Sequence, residues 1–400
     1  MDEARHKLNG GRGRDATVRP TGRRIATRLT VLLLGAVLAG CSASAPRPSV
    51  ATETPAQPRQ TPSGNVPPNA VPSPVHPVGD PVALASGLDA PWSILRLAAG
   101  TLISERDTAL VRELLPDGEL RNAAEVADVR PGGEGGLLGL AFLPDAAALG
   151  GAGWVYASFT AAADNEIVRM PLSGTSGSLG LGAPEPVLSG IPKAGNHDGG
   201  RLGIGPDGML YATAGDAGDT RNAQDLGSLG GKILRMTPTG KVPGDNPFGT
   251  LVYSFGHRNP QGIAWDSRGR LWASEFGQNT WDELNLIVPG GNYGWPVVEG
   301  AAGNPAYRDP AQQWRTSEAS PSGLAIVNDT LFMAALRGER LWRIDPSTGE
   351  TSAWFANSFG RLRDVVSGPD GTLWFVSNNT DGRGDRAPGD DKLYQVRVAP

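Results

Sequence analysis

Few side chains in this chain can move a proton near neutral pH. It contains four histidines. His6 lies in an N-terminal stretch of targeting character and His76 in a proline-rich stretch, which leaves His197 and His257 in the part expected to fold. Both sit in glycine- and asparagine-rich loops, Gly195-Asn196-His197-Asp198-Gly199-Gly200-Arg201 and Gly256-His257-Arg258-Asn259-Pro260-Gln261. An imidazole titrates close to neutrality, and a loop carried on a rigid scaffold is a common place for a general base. A lone loop histidine more often only hydrogen-bonds a neighbouring turn, so its chemistry has to be judged by its company.

Three further segments supply that company. Gly132-Gly133-Glu134-Gly135-Gly136 is dense enough in glycine to imply unusual dihedrals or close backbone approach. Ser274-Glu275-Phe276-Gly277-Gln278-Asn279-Thr280-Trp281-Asp282-Glu283, continuing through Gly290-Gly291-Asn292-Tyr293-Gly294-Trp295, is rich in oxygen donors. Carboxylates, amides and loop carbonyls together suit Ca²⁺, a hard cation with oxygen ligands, although the order of an EF-hand is absent. Gly360-Arg361-Leu362-Arg363-Asp364 places two arginines on one face if it is a strand, because side chains alternate.

These loops need a scaffold, and a repeated phrase indicates which. Leu102-Ile103-Ser104-Glu105, Val155-Tyr156-Ala157-Ser158, Leu210-Tyr211-Ala212-Thr213, Leu271-Trp272-Ala273-Ser274, Leu331-Phe332-Met333-Ala334 and Leu373-Trp374-Phe375-Val376 begin 53, 55, 61, 60 and 42 residues apart. Several follow a tight turn such as Pro206-Asp207-Gly208 or Pro369-Asp370-Gly371. A period near 50 residues with short strands predicts an all-β fold, a six-bladed β-propeller with four-stranded antiparallel blades. A sandwich would lack that long period. Glycine (56) and proline (34) suit many turns, and no helical periodicity is sustained outside the N-terminal apolar run. In a propeller, loops distant in sequence converge on one mouth of a central channel.

The chain is expected to divide into three parts. Residues 1–40 read as an export signal: Arg23, Arg24 and Arg28 precede an apolar run too short to span a bilayer, and Leu38-Ala39-Gly40-Cys41 resembles a bacterial lipobox with Cys41, the single cysteine, as the lipidated residue. Residues 41–80 read as a Pro/Ser/Thr-rich tether that cannot bury a core, and 81–400 as the propeller. This predicts an exported protein held at the outer or periplasmic side of a bacterial membrane by its lipid alone. The formal charge is −5, and since residues 1–40 carry eight Lys/Arg against three Asp/Glu, the remainder stands at −10. That excludes a generic nucleic-acid binder.

Taken in order, these loops resemble those of the soluble PQQ-dependent sugar dehydrogenases, the glucose/sorbosone and aldose sugar dehydrogenase family, over roughly residues 80–398. The resemblance implies a six-bladed propeller that binds pyrroloquinoline quinone and Ca²⁺ at the channel mouth, oxidises an aldose at C1 to its lactone and passes electrons to an external acceptor. His197 matches the general base and Arg258 the arginine beside the reacting carbonyl of the cofactor. Glu134, Asn259, Gln261, Arg337, Arg361 and Arg363 match positions around the cofactor. The carbonyls of Gly277 and Gln278 match calcium ligands, with Asp282 nearby, and Glu283 and Tyr293 match a further calcium site. Three departures bear on substrate choice: Arg337 replaces a lysine, Glu134 replaces a glutamine, and Asn196 replaces an aspartate, so a carboxylate orienting the imidazole must come from Asp198 or elsewhere.

Two other functions fit the same architecture. A calcium-dependent lactone hydrolase needs a metal held at the channel centre by several side chains, and a non-catalytic binding module needs no convergence of histidine, arginine and metal loop. The arginine set, suited to a polyanionic cofactor, favours the dehydrogenase.

Overall fold

The structure is a computed structural model, and it describes residues 73–145 and 152–400. Cys41, the export signal and most of the tether lie outside the described residues. Among those described, six antiparallel sheets surround a central channel, five of four strands and one with an added two-residue strand. The innermost strands are Pro91–Leu97, Leu137–Pro144, Leu202–Ile204, Pro260–Trp265, Pro321–Val327 and Leu362–Ser367, and each touches the next around the ring. The expected six-bladed propeller is therefore the fold.

The repeated phrases all fall on the second strand of a blade: Gly100–Glu105, Gly153–Thr160, Leu210–Ala214, Leu271–Glu275, Leu331–Ala334 within Thr330–Ala335, and Thr372–Ser377. Alternation explains their composition. Leu210, Leu271 and Leu331 enter the core shared with the preceding blade, whereas Tyr211, Trp272 and Phe332 enter the core shared with the next. Both faces are covered, so the strand is apolar on both, and each such side chain contributes about 1.5–3 kcal/mol on burial. In the first blade the alternation runs one residue earlier than the phrase suggested: Leu102 packs towards the second blade and Ile103 towards the last, so Thr101 is the true equivalent of Val155.

Hydroxyls at the fourth position of the phrase stitch blades together. Ser104 donates to the Leu138 carbonyl (2.6 Å), Ser158 to Gly200 (2.5 Å) and Ser274 to Ser322 (2.5 Å), each on the innermost strand of the next blade or just before it.

The ring is closed by the N-terminal strand His76–Ser86, which pairs antiparallel with Lys392–Ala399 as the outer strand of the last blade. The expected tether to residue 80 is therefore corrected at its end. Val75 is buried, its N–H donates to Thr330 Oγ1 (2.9 Å), its carbonyl accepts from Arg343 Nε (2.8 Å), and His76 stacks on Trp354 at 5.9 Å. Prolines at 77 and 81 hid this strand; they are tolerated because an edge strand needs only one ladder.

Because strands alternate in direction, the loops entering each innermost strand and those leaving each second strand share one face of the ring. Every segment singled out from the sequence lies in one of these two loop classes or runs on from one.

Candidate functional site

His197 comes from the loop entering the third blade. Its backbone lies at φ +62°, a region costly for a residue with a Cβ, and it is held there by contacts on three sides. Its N–H donates to Glu134 Oε2 (2.9 Å) and its carbonyl accepts from Ala217 N (3.2 Å). Gly215 is obligatory beside it, since a Cβ there would fall 2.0 Å from the His197 carbonyl oxygen. Likewise a Cβ on Gly133 would fall 2.0 Å from Gly195 O, so glycine lets the 132–136 loop carry Glu134 against the histidine.

One imidazole nitrogen is held by a carboxylate and the other meets an amide. Nδ1 lies 2.7 Å from Asp216 Oδ1, and Asp216 Oδ2 accepts from Trp295 Nε1 at 2.8 Å. The orienting carboxylate is thus Asp216. Asp198 instead accepts from Asn165 Nδ2 (3.0 Å) and Ala194 N (3.2 Å), tying down the base of its own loop. Burial pushes the Asp216 carboxyl up, but the hydrogen bonds from His197 and Trp295 outweigh it and hold the group below its ordinary range. Nε2 is left beside Asn196 Nδ2 at 3.2 Å, on the side of a cavity of about 250 Å³.

That cavity is lined by Glu134, His197, Arg258, Asn259, Gly277, Gln278, Asp282, Arg337 and Arg361, from loops spread over more than 220 residues of chain, by Phe276 of the oxygen-rich segment, and by Thr316, Ser320, Leu336 and Arg383, which were not among the expected site residues. Asn259 bridges two loops, accepting from Gly199 N (3.1 Å) and donating to Glu134 Oε2 (3.3 Å). Arg258 lies over Trp295 and donates to the Gly277 carbonyl (2.6 Å); burial pulls its guanidinium below the ordinary arginine value. Arg337 is exposed at the rim.

The arginine pair of the last blade is arranged differently from the expected shared strand face. Arg361 precedes the strand, a register shift follows at Leu362, and only Arg361 lines the cavity. Arg363 lies in the channel beneath, where Gln261 Oε1 accepts its Nη1 at 2.7 Å, so Gln261 supports the floor and is absent from the cavity wall. Asp381 joins the two arginines, 3.0 Å from Arg361 Nη2 and 3.9 Å from Arg363 Nη2. Burial, reinforced by the neighbouring Arg361 and Arg106 charges, pushes Arg363 down to about 9. Among the described residues, the Nε atoms of Arg258, Arg361 and Arg363 are buried without a hydrogen-bond partner. Two of these guanidinium groups line the cavity and the third lies beneath it, a concentration of positive charge that suits a ligand carrying several negative charges.

The oxygen-rich loop forms two layers. In the upper one the Gly277 carbonyl already receives Arg258, while both Asp282 oxygens hold the turn through Gly277 N (2.8 Å) and Ser320 N (2.5 Å). Asp282 forms no ion pair among the described residues, and burial, outweighing its backbone hydrogen bonds and the Arg258 charge, pushes its carboxyl up to about 6. In the lower layer Glu275, Glu283 and Glu299 line a cavity of about 10 Å³, the size of one atom, together with the ring of Tyr293. Asn285 Nδ2 bridges Glu275 (3.3 Å) and Glu283 (3.1 Å), and burial beside Glu275 pushes the Glu283 carboxyl up to about 8. The Tyr293 hydroxyl is turned away, donating to Leu286 O (2.7 Å) and accepting from Val288 N (3.0 Å). Both layers concentrate oxygen donors and include a carboxyl, Asp282 or Glu283, whose charged form burial disfavours, and a divalent cation would favour that charged form.

Comparison with known proteins agrees with this geometry. The sequence pattern of the glucose / sorbosone dehydrogenase family matches residues 88–386. The chain belongs to the glucose / sorbosone dehydrogenase family. Within this family of sugar-oxidising oxidoreductases, the chain is 30% identical to the aldose sugar dehydrogenase YliI of Escherichia coli K12 over 345 residues, 75% of this chain and 90% of that protein. It is 33% identical to quinoprotein glucose dehydrogenase B of Acinetobacter calcoaceticus, over 57% of this chain but only 54% of the relative. The fold superposes on the PQQ-bound aldose sugar dehydrogenase of Streptomyces coelicolor with a TM-score of 0.76 and 49% identity, over 81% of this chain and 98% of that one.

Proposed function

We propose that this family member is a PQQ- and calcium-dependent dehydrogenase that oxidises an aldose, or a related sugar, at C1 to the lactone. The observation that carries the reading is the buried Asp216–His197 dyad facing the same cavity as the orphaned nitrogens of Arg258 and Arg361. Neither a lactone hydrolase nor a passive binding module requires that pairing.

In this reading Asp216 accepts a hydrogen bond from Nδ1–H, which keeps that proton on the ring and leaves Nε2 of His197 to take the proton of the C1 hydroxyl. Asp216 then stabilises the imidazolium so formed, and Asn196 and the Glu134 contact fix the ring and main chain around it. A quinone cofactor in this cavity would supply the hydride acceptor. Arg258, Arg361 and Arg337 would hold its negative groups, Asn259 frames the wall, and Arg363 with Gln261 supplies positive charge from below. The Gly277 and Gln278 carbonyls with Asp282 would hold one calcium ion, and Glu283 with the Tyr293 region a second. An external acceptor removes the electrons, and the Cys41 lipid holds the enzyme on the outer side of the membrane.

The test is reconstitution of the purified chain with PQQ and Ca²⁺ followed by dye reduction with a panel of aldoses. Turnover of at least one aldose, lost on chelation with EGTA together with bound PQQ, is the expected result. Tight PQQ binding with no aldose oxidised, or PQQ affinity unchanged in excess EGTA, would overturn the sugar or the calcium part respectively.

A further inference from the structure

Asp216 holds the base, and Trp295 in turn holds Asp216. The indole is buried and arrives on the long connection between Trp281–Ile287 and Gln312–Arg315. Its main chain is fixed on both sides: its N–H donates to the Gly256 carbonyl (2.9 Å), and its carbonyl accepts from Gln224 Nε2 (2.7 Å). Gly256 permits this approach, because a Cβ there would fall 2.7 Å from Gly294 N and 2.2 Å from Asn292 Oδ1. The side chain then makes contact by its edge and by its face. At the edge, Nε1–H donates to Asp216 Oδ2 (2.8 Å), while Asp216 Oδ1 meets His197 Nδ1 (2.7 Å) and Gly218 N (2.8 Å). Against the face lies the Arg258 guanidinium, 5.5 Å from the ring centroid. The partner of the base and an arginine of the cavity wall thus share one rigid ring.

We propose that Trp295 is a positioning residue that sets the base and the Arg258 guanidinium in register, its N–H edge acting through Asp216 and its ring face on Arg258. The kinetic consequence rests on the sugar-oxidising reading above. The terminal torsion of a carboxylate is soft, so Asp216 keeps its oxygen aligned with Nδ1 only if its other oxygen is held as well. An indole suits that task. Its N–H only donates, so it cannot take the Nδ1 proton from the imidazole, and its π-face attracts a guanidinium. The other charges acting on the dyad are Arg258 towards Asp216, and Glu134 and Asp198 towards His197. A change of Trp295 removes none of them.

Trp295→Phe keeps the face and deletes the N–H, whereas Trp295→Leu deletes both. The first readout is the Nδ1–H proton of His197, followed by NMR in the full chain before cofactor is added and assigned by its loss in His197→Ala. His257 Nδ1, 2.7 Å from Glu275 Oε2, provides a second such proton as a control. In Trp295→Phe the His197 proton should exchange with water about tenfold faster, as expected for loss of one hydrogen bond to a charged group, while the His257 proton stays within about twofold. In the PQQ- and Ca²⁺-loaded chain, kcat for an aldose that is turned over should fall about tenfold with KM within about twofold. PQQ affinity, read by absorbance titration, should hold in Trp295→Phe and fall about fivefold in Trp295→Leu. Added to Asp216→Asn, Trp295→Phe should slow turnover by less than about twofold more, because its edge acts only through that carboxylate. The proposal is overturned if Trp295→Phe leaves exchange of the His197 proton unchanged or disturbs the His257 proton equally. It is also overturned if the kinetic losses of Trp295→Phe and Asp216→Asn multiply in full, or if the two Trp295 variants bind PQQ alike. If the wild type oxidises no aldose, the sugar reading fails, and the exchange measurement by itself decides whether Trp295 holds the dyad.

Discussion

Asp216→Asn isolates what the dyad contributes. Asp216 is fully buried and accepts three hydrogen bonds, from His197 Nδ1 (2.7 Å), Gly218 N (2.8 Å) and Trp295 Nε1 (2.8 Å). A carboxamide has one oxygen, so either orientation sets its NH₂ against a donor, and the negative charge facing the imidazolium disappears. Two unit charges about 4 Å apart at an effective dielectric of about 20 interact by about 4 kcal/mol. If that stabilisation is felt mainly after proton transfer, kcat should fall by about 10³-fold, inside the range of roughly 10²–10⁴ for positioned general-base catalysis. Dye reduction at saturating aldose gives kcat, a PQQ titration checks that cofactor affinity stays within about twofold, and a melting curve checks the fold. A soundly folded, cofactor-loaded Asp216→Asn enzyme with kcat within about threefold of wild type would refute the assignment of Asp216 as the partner of the base.

Three other outcomes follow from the same contacts. His197→Ala should remove most turnover while PQQ still binds, whereas Arg258→Ala should weaken both, since its guanidinium is one of the orphaned cations; titration and kinetics on the two variants separate them. A chain beginning at residue 73 should melt higher than one beginning at residue 78, because the latter loses the Val75 hydrogen bonds and the His76–Trp354 stack; equal melting temperatures would show that these contacts contribute nothing. Burial alone would raise the Glu134 carboxyl, but the hydrogen bond from His197 N and the charge of Arg383 outweigh it and hold it below 4.5. A depressed carboxylate stabilises the fold above its unfolded value and loses that contribution as pH falls through the folded value, so Arg383→Ala should move the loss to higher pH in melting curves taken between about pH 3 and 6.

The second-strand phrase was legible because both of its faces are covered by neighbouring blades, which forces the same apolar alternation in every blade. The ring-closing strand was not, since an exposed edge with two prolines and irregular register has the composition of a linker. The site divides in the same way. Loops entering the innermost strands announce themselves by glycine clusters, as around Glu134 and His197. Those leaving the second strands were read only where oxygen donors crowd, as after Ser274. Asp216 and Arg383 lie in that second class, in Ala214-Gly215-Asp216-Ala217-Gly218 and Asp381-Gly382-Arg383-Gly384, and the signal available was their place just after a repeated phrase. The roles of Gln261 and Arg363 below the cavity depend on a register shift that alternation alone does not reveal.

The two loop histidines show why composition could nominate a base but only geometry can distinguish it. His257 is fully buried, with Nδ1 2.7 Å from Glu275 Oε2, Nε2 2.8 Å from Ser254 Oγ, and its ring stacked on Tyr293 at 4.6 Å. Both nitrogens are engaged within the packed interior, away from the cavity that His197 lines, so no substrate meets them; its work is to hold Glu275 in the lower oxygen layer. His197 has the same kind of carboxylate partner on Nδ1, yet its other nitrogen meets only the Asn196 amide at the cavity wall. The chemical difference between the two imidazoles is therefore the fate of Nε2. An enzyme that kept activity in His197→Ala but lost it in His257→Ala would contradict that distinction, because no substrate could reach a ring enclosed on both edges and one face.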